Sequence, residues 1–537
     1  MHEYPLFING RDVDGDGWTY VVRASELIRD TVGAFNLKRG LELDLHSDAV
    51  PGSVAAGIYP DSVAARCAWG GRELCRTALD AAHGASVEYS RIPLDDRIGM
   101  LGLVHKALVA NVETLVDMLV IEGHPRRLAE WELSGVIRGC DEGTLSWYRN
   151  QFDSMHAAPD DAVQLVRKPD GVVCVNPPQN AAGSNGALGA MALMAGNAVV
   201  VKAPRSTPLT VMYFYRDIVQ PALESIGAPP GTLNIVSGDS QQIMRDWIAS
   251  PYVDDVLFFG GSDVGLKVGY DCVAAGKKPI LELSGNDGFV VWEDADLPAA
   301  AQALSECFYG SAQICMVPKY AIVHPRVADA FIQELLAITE TVVPGYPEDP
   351  HALLSPVLKA DQFYDYLAEA HEHGADVLCG GHRIGVDGTR QDTGLFFEPT
   401  VLRIKGLDRG RAMSCVTEET FFPMLPIVIA DDVAESELLG ATIGFLNQNV
   451  YGLRNSVWTS SRDIADRFAK DVNNGGQLKI NDSHIGFRSR LATHGGTGRT
   501  GGPFGELNYV ALRTSHLQGI VWGTGDVRAV DELVERR

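Results

Sequence analysis

The chain has 537 residues, which at roughly 150 residues per domain allows about two to four domains. Hydrophobic residues make up 46% and charged residues 21%, so wholesale disorder and a coiled coil are excluded as classes. Lys and Arg number 45 against 69 Asp and Glu; the formal charge of −24 argues against nucleic acid and anionic membrane as partners, because all carry the same sign.

Residues 1–60 read as irregular, with strand-like pieces such as Tyr20-Val21-Val22. The N-terminus has acidic residues where a signal peptide needs a basic start and an apolar run. Asp12-Val13-Asp14-Gly15-Asp16-Gly17 matches the start of a calcium loop, but the twelfth position is Arg23 rather than a bidentate Glu. A polar turn is the better reading. Residues 61–150 read as helical, since stretches such as IGMLGLVHKALVANVETLVDMLVIEG repeat apolar residues at three and four.

No charged residue occurs from Gly171 to Val201. Pro177, Pro178, Asn176, Asn180, Asn185 and Asn197 rule out a lipid-facing helix there, so the stretch predicts buried strand, loop, buried helix and buried strand. GVVCV, NAVVVK, TLNIVSG, DDVLFFGG and PILELSG are strands, with helices such as TPLTVMYFYRDIVQPALESIG between them. Such alternation predicts a parallel, doubly wound α/β sheet. A second alternating region, from about 286 to 480, includes FVVWE, KYAIVH, ADVLCGG, MLPIVIA and GLRNSVWT. His371-Glu372-His373 lacks the spacing of a zinc helix and reads as a solvated helix end before Gly374. Residues 487–506 are Gly-rich loop; their GGTGRTGG lacks the Lys of a phosphate loop. The tail, 507–537, reads as a short strand plus a final charged helix.

Nine Cys occur, with no CxxC pair. An odd number in a long chain speaks against a disulfide framework and for a reducing, cytoplasmic setting. No metal-ligand spacing is found.

Four polar or reactive residues stand at strand ends or in small-residue loops, the edge where open α/β sheets bind ligands. Asn180 lies in NPPQNAAGS, Lys202 ends NAVVVK, Glu282 lies in PILELSG, and Cys315 lies in GSAQICMVPK. Each alone has an ordinary structural reading: a buried thiol, a cap or a solvated charge. Their order and local wording go further. GVVCVNPPQN, NAVVVKAPRSTP, FFGGSDVG, LELSG, GSAQICMVP, GYPEDPHALLSPV, GLFFEPTVL and EETFFPMLPIV follow one another along the chain. From about residue 90 to 505 the chain resembles the aldehyde dehydrogenase superfamily.

The resemblance implies three parts. A Rossmann-like cofactor domain takes residues 1–150 and 172–281, an α/β catalytic domain 282–480, and a small β oligomerisation arm with tail 151–171 and 487–537. Cys315 would attack an aldehyde carbon, Asn180 would hold the oxyanion, and Glu282 would activate water to release the acid. Pro178, Gln179, Lys202, Gly238, Gly261, Ser262, Glu419 and Phe421 would line the cofactor site. Ser262 would sit at a helix N-terminus near the phosphates, Lys202 on the adenosine ribose, and Gly238 where the backbone approaches the adenosine.

Arg205 stands where NAD-using members commonly have an acid. A guanidinium there would attract a 2′-phosphate, so NADP is expected, with NAD possible. Gln179 replaces an aromatic, and small polar residues follow Asn180, which suggests a large or polar aldehyde. Phe422 replaces a usual Gly near Glu419. A homodimer or homotetramer is implied. Two other readings are a CoA-acylating relative, which Glu282 argues against, and a non-catalytic scaffold.

Overall fold

The computed structural model describes residues 1–42, 61–157 and 162–523. Two seven-stranded sheets organise the chain. In the first, the strands run in the order Lys278–Glu282, Asp255–Phe259, Val172–Asn176, Ala198–Lys202, Leu233–Val236, Leu6–Ile8 and Arg11–Val13. The first five are parallel and the last two pair antiparallel at the edge. Helices cover both faces, which is why the strands Val172–Asn176 and Ala198–Lys202 read as unbroken apolar runs.

From Val172–Asn176 the chain adds two strands on one side, then crosses to add Asp255–Phe259 and Lys278–Glu282 on the other. Strand order therefore reverses beside Val172–Asn176, and a crevice opens at the carboxyl ends there. The loop that carries Asn180 leaves from this point.

The uncharged stretch folds as strand Val172–Asn176, loop, helices Ala182–Ala187 and Gly189–Ala195, and strand Ala198–Lys202. Gly196 ends the second helix at φ 105°, a left-handed cap. Among the described residues no helix is long and apolar enough to cross a membrane. The expected helix over 207–227 is Leu209–Tyr213, a π segment Phe214–Val219, and Gln220–Ser225. Pro221 explains the widening, since it has no N–H and its ring crowds the preceding turn.

The second sheet has the order Asp376–Cys379, Thr400–Lys405, Met424–Ile429, Pro318–Val323, Asp287–Val291, Arg454–Trp458 and Gln477–Ile480. All pair parallel except Asp376–Cys379, antiparallel at its edge. A three-stranded antiparallel sheet joins the neighbouring strands Asp153–Ala157 and Ala162–Pro169 to the distant Ser515–Trp522.

The first 42 residues are more regular than expected, with four short strands and helices Ala24–Arg29 and Thr31–Glu42. Residues 61–150 are not wholly helical: Val63–Trp69 is a strand that pairs with Gly17–Val22 and His2–Tyr4. Its alternation is masked in sequence because both faces are covered. The expectations for residues 43–60 and for the final charged helix lie outside the described residues. His371 and Glu372 close helix Ala360–Glu372, with Gly374 at φ 80° just beyond, as read from sequence.

Candidate active site

Cys315 follows a turn with unusual backbone. Gly310, Ser311 and Ala312 are left-handed in succession, at φ 59°, 56° and 59°. Two of them are not glycine, and such a conformation persists only where surrounding bonds impose it. Those bonds are present. Gly310 N–H donates to the Leu353 carbonyl at 2.8 Å, Ser311 Oγ donates to Ser355 O at 2.6 Å, and Ser355 N–H donates back to Ser311 Oγ at 2.9 Å. Buried Lys319 donates to Ala312 O at 2.7 Å and to Thr420 O at 2.8 Å. The turn leaves Cys315 half-buried on the wall of a cavity.

Asn180 lines the same cavity. Its side-chain amide donates to Gln313 O at 2.9 Å, two residues before Cys315. The structure thus brings Asn180 and the Cys315 turn together across 133 residues of sequence. Ser184, Asn185, Trp131, Phe487 and Ile314 add a mixed polar and apolar wall.

Glu282 ends its strand and is buried. Its carboxylate accepts from Gly495 N–H at 2.8 Å and from Asn508 Nδ2 at 2.9 Å. Burial outweighs both bonds and lifts its pKa to about 8. Gly495, at φ 99°, has no room for a Cβ, which would meet Glu506 O and Asn508 N at 2.2 Å. The Gly-rich loop that the sequence presented as a flexible segment therefore has a defined task. It closes over the strand end that carries Glu282, with Leu283 N–H donating to Thr500 O and Thr500 Oγ1 to Ser284 O.

The thiol stands among acids. Burial, then Glu419 and Asp287, push the Cys315 pKa up to about 12, with Lys319 opposing and Glu282 adding to the rise. Glu419 accepts from Gly285 N–H at 2.9 Å, and burial holds its pKa above the usual carboxylate range. A Cβ on Gly285 would meet Cys315 O at 2.2 Å, so the segment after Glu282 lies against the nucleophile's backbone. Phe421 has Lys319 and Lys359 over its ring at 5.2 and 5.8 Å, and Phe422, in place of the usual Gly, is a wholly buried core residue.

The expected cofactor residues divide. Lys202 is buried at its strand end, donates to Ser240 Oγ at 3.1 Å, and has its pKa lowered by burial to about 8. Gly261 is the N-cap of helix Ser262–Ala274, with open space around it and no side chain capping the helix. Its uncapped N–H groups suit an anion. The Ser262 hydroxyl does not serve there: it is buried and donates to Arg499 O at 2.8 Å. Gly238 is tight for a reason within the protein, since a Cβ would lie 2.6 Å from Gly70 O. Gln179 accepts from Thr207 Oγ1 through its carbonyl and leaves its side chain exposed, and Pro178 is half-buried beside it.

Arg205 is neither free in solvent nor an unencumbered guanidinium. It is half-exposed, donates to Glu42 Oε2 at 2.9 Å, and sits over Trp69 at 5.5 Å from the ring centre. Lys38 lies 3.8 Å from the same carboxylate, so two cations face one anion. Sequence reasoning missed Glu42, Lys319, Gly495, Asn508, His124 and Glu132. A charged residue opening the buried strand KYAIVH was the only available signal for Lys319.

A family model described as "Aldehyde dehydrogenase family" matches residues 58–513. A 3,6-anhydro-alpha-L-galactose dehydrogenase of Vibrio sp. (strain EJY3) is 29% identical over 488 residues, covering 88% of this chain and 97% of that protein. Succinate-semialdehyde dehydrogenase [NADP(+)] 1 of Schizosaccharomyces pombe is 28% identical over 457 residues, 82% of this chain and 87% of that one. The crystal structure of an NAD-dependent aldehyde dehydrogenase from Sinorhizobium meliloti superposes with a TM-score of 0.79 at 23% identity, covering 98% and 96% of the two chains.

Proposed function

The chain belongs to the aldehyde dehydrogenase family and is an NAD(P)-dependent oxidoreductase acting on aldehydes; we propose that it does so hydrolytically, through Cys315, Asn180 and Glu282. The observation that carries this reading is the meeting of the Asn180 amide with the Cys315 turn on one cavity wall, whose lining includes Asn508, the donor to the Glu282 carboxylate.

The thiol, with a pKa near 12, is a far weaker acid than Glu282, near 8, so the carboxylate is a poor acceptor for the thiol proton and its part is to activate water. The thiol proton leaves to solvent, a loss that the positive ring of bound NAD(P)+ would favour, and the thiolate adds to the aldehyde carbon. The new oxyanion is held by the Asn180 amide and the Cys315 N–H, donors of which each is worth about 100- to 1,000-fold in rate. Bound NAD(P)+ supplies a hydride acceptor and a positively charged ring. Hydride leaves the thiohemiacetal carbon and a thioester remains on Cys315. Glu282 then removes a proton from water, which attacks the thioester, and the acid departs as the thiol is restored. A CoA-acylating relative would have no use for that base.

For the cofactor, Lys202 and the uncapped helix at Gly261 fit an adenosine ribose and a phosphate. The fit of Glu419 and Phe421 is toward the nicotinamide side, next to Cys315. The surplus cation among Lys38, Arg205 and Glu42 favours a 2′-phosphate, and NADP is the preferred cofactor on this reading. The relatives' names include both NADP(+) and NAD-dependent enzymes. Buried His124, Glu132 and Asn185 on the cavity wall support a polar or large aldehyde. Leu517, Val521 and Trp522 on strand Ser515–Trp522, and Met155 in the same sheet, are exposed, which supports a second copy docking on this arm as a homodimer or homotetramer. All nine Cys are free thiols, in keeping with a reducing, cytoplasmic location.

Steady-state assays over a panel of aldehydes with each cofactor should give a higher kcat/KM with NADP, at least about 10-fold weakened relative to NAD in Arg205→Asp. A clear NAD preference, or short aliphatic aldehydes as the best substrates, would contradict this. The rate should climb with pH as Glu282 ionises around 8, because the base works deprotonated; a profile flat through that region contradicts the assignment. Light scattering should give a dimer or tetramer, and a monomer at micromolar concentration would remove the arm's proposed role.

A further inference from the structure

His124 has no part in the chemistry above, yet it is buried at 7% exposure on the wall of the same cavity. It belongs to the turn Glu122–Pro125 between helices Val112–Ile121 and Arg126–Gly139. Its Nε2 lies 2.9 Å from the backbone carbonyl of Asn180 and 3.1 Å from Glu132 Oε2. Two acceptors face that nitrogen, so it carries the proton and donates. Nδ1 is buried without a partner among the described residues, so the ring is anchored through Nε2 alone.

Glu132, 2% exposed, completes the device. Its other oxygen accepts from Ser184 N–H at 3.0 Å and from Ser184 Oγ at 2.5 Å, in the first turn of helix Ala182–Ala187. One carboxylate thus ties together the ring that grips Asn180 and the helix that begins two residues after it. Burial opposes charge on His124, but Glu132, with Glu122 adding, more than offsets this and the pKa of the ring rises. The Glu132 carboxyl is held below its usual range by the same ring, against its own burial.

A buried ion pair of this kind contributes little net stability over apolar residues of the same size. Its position is better explained by what it holds. We propose that His124, supported by Glu132, is a positioning residue that fixes the backbone of Asn180 so that the side-chain amide points at the Cys315 turn. Asn180 is in an exposed loop and, among the described residues, its side-chain amide donates to the Gln313 carbonyl, so His124 is the bond that holds its backbone carbonyl. The inference rests on the catalytic reading of Asn180 given above. It extends that reading to a residue 56 positions away.

The test is a double-mutant cycle on the full-length enzyme, with kcat and KM measured separately and thermal unfolding recorded for each variant. His124→Ala should lower kcat by about 10- to 100-fold with KM little changed, the size expected when a catalytic donor is misplaced by about 1 Å. In an Asn180→Ala background the same substitution should cost less than about 3-fold, because the group it positions is gone. His124→Gln, whose amide nitrogen can reach the place of Nε2, should restore most of the rate; His124→Asn, which reaches only the place of Nδ1, should not. Additive losses in the cycle, or equal behaviour of the Gln and Asn variants, would overturn the proposal. If His124→Ala does not fold, the Gln and Asn pair decides it. Wild-type enzyme that reduces neither NAD nor NADP with any aldehyde would instead refute the underlying function and would be seen before any variant is compared.

Discussion

One buried ammonium ties the turn before Cys315 to the segment that carries Glu419. Lys319 opens a central strand of the second sheet, is 1% exposed, and donates both to Ala312 O in the turn before Cys315 and to Thr420 O beside Glu419. That bond adds to those from Leu353 and Ser355 that impose three successive left-handed residues. Burial pulls the Lys319 pKa down, and the carboxylates of Glu419 and Asp287 pull it back up. The lysine is therefore clamp and counter-charge at once, and the geometry of the turn depends on the acids that crowd the thiol.

Those acids have a cost and a use. They and the loss of water raise the pKa of the Cys315 thiol, which favours its protonated form. The same burial raises Glu282 until it can accept a proton at a working pH. Glu282 ends a strand of the first sheet and Cys315 lies in the turn before Pro318–Val323 of the second, yet the segment after Glu282 lies against the Cys315 backbone at Gly285. On the proposed cofactor assignment, the negative total charge is countered locally by Lys202, Arg205 and the uncapped end of helix Ser262–Ala274.

The strands that carry the site were legible because parallel strands covered on both faces leave unbroken apolar runs, and a polar residue at the end of such a run stands out. Lys202 and Glu282 were singled out this way, and Asn180 and Cys315 by the small-residue loops beside such strands. Ser262 opens its helix as expected, while nothing local shows that its hydroxyl turns to Arg499. Arg205 could be weighed only as free or phosphate-bound, because its partner Glu42 lies 163 residues earlier, in a segment with no clear pattern. The bonds that orient the site share this property. His124 to Asn180, Gly495 to Glu282 and Lys319 to Thr420 are long-range contacts of single atoms, and they leave no periodicity to read.

The central claim is a covalent path in which Cys315 carries the acyl group and Glu282 releases it. The direct measurement is intact-protein and peptide mass spectrometry of the Glu282→Gln enzyme, quenched in acid after mixing with cofactor and an aldehyde substrate. The account predicts one acyl group per chain, on the peptide containing Cys315, accompanied by one equivalent of reduced cofactor and little further turnover. Reduced cofactor formed without any adduct on Cys315, or undiminished steady turnover in that variant, would contradict it.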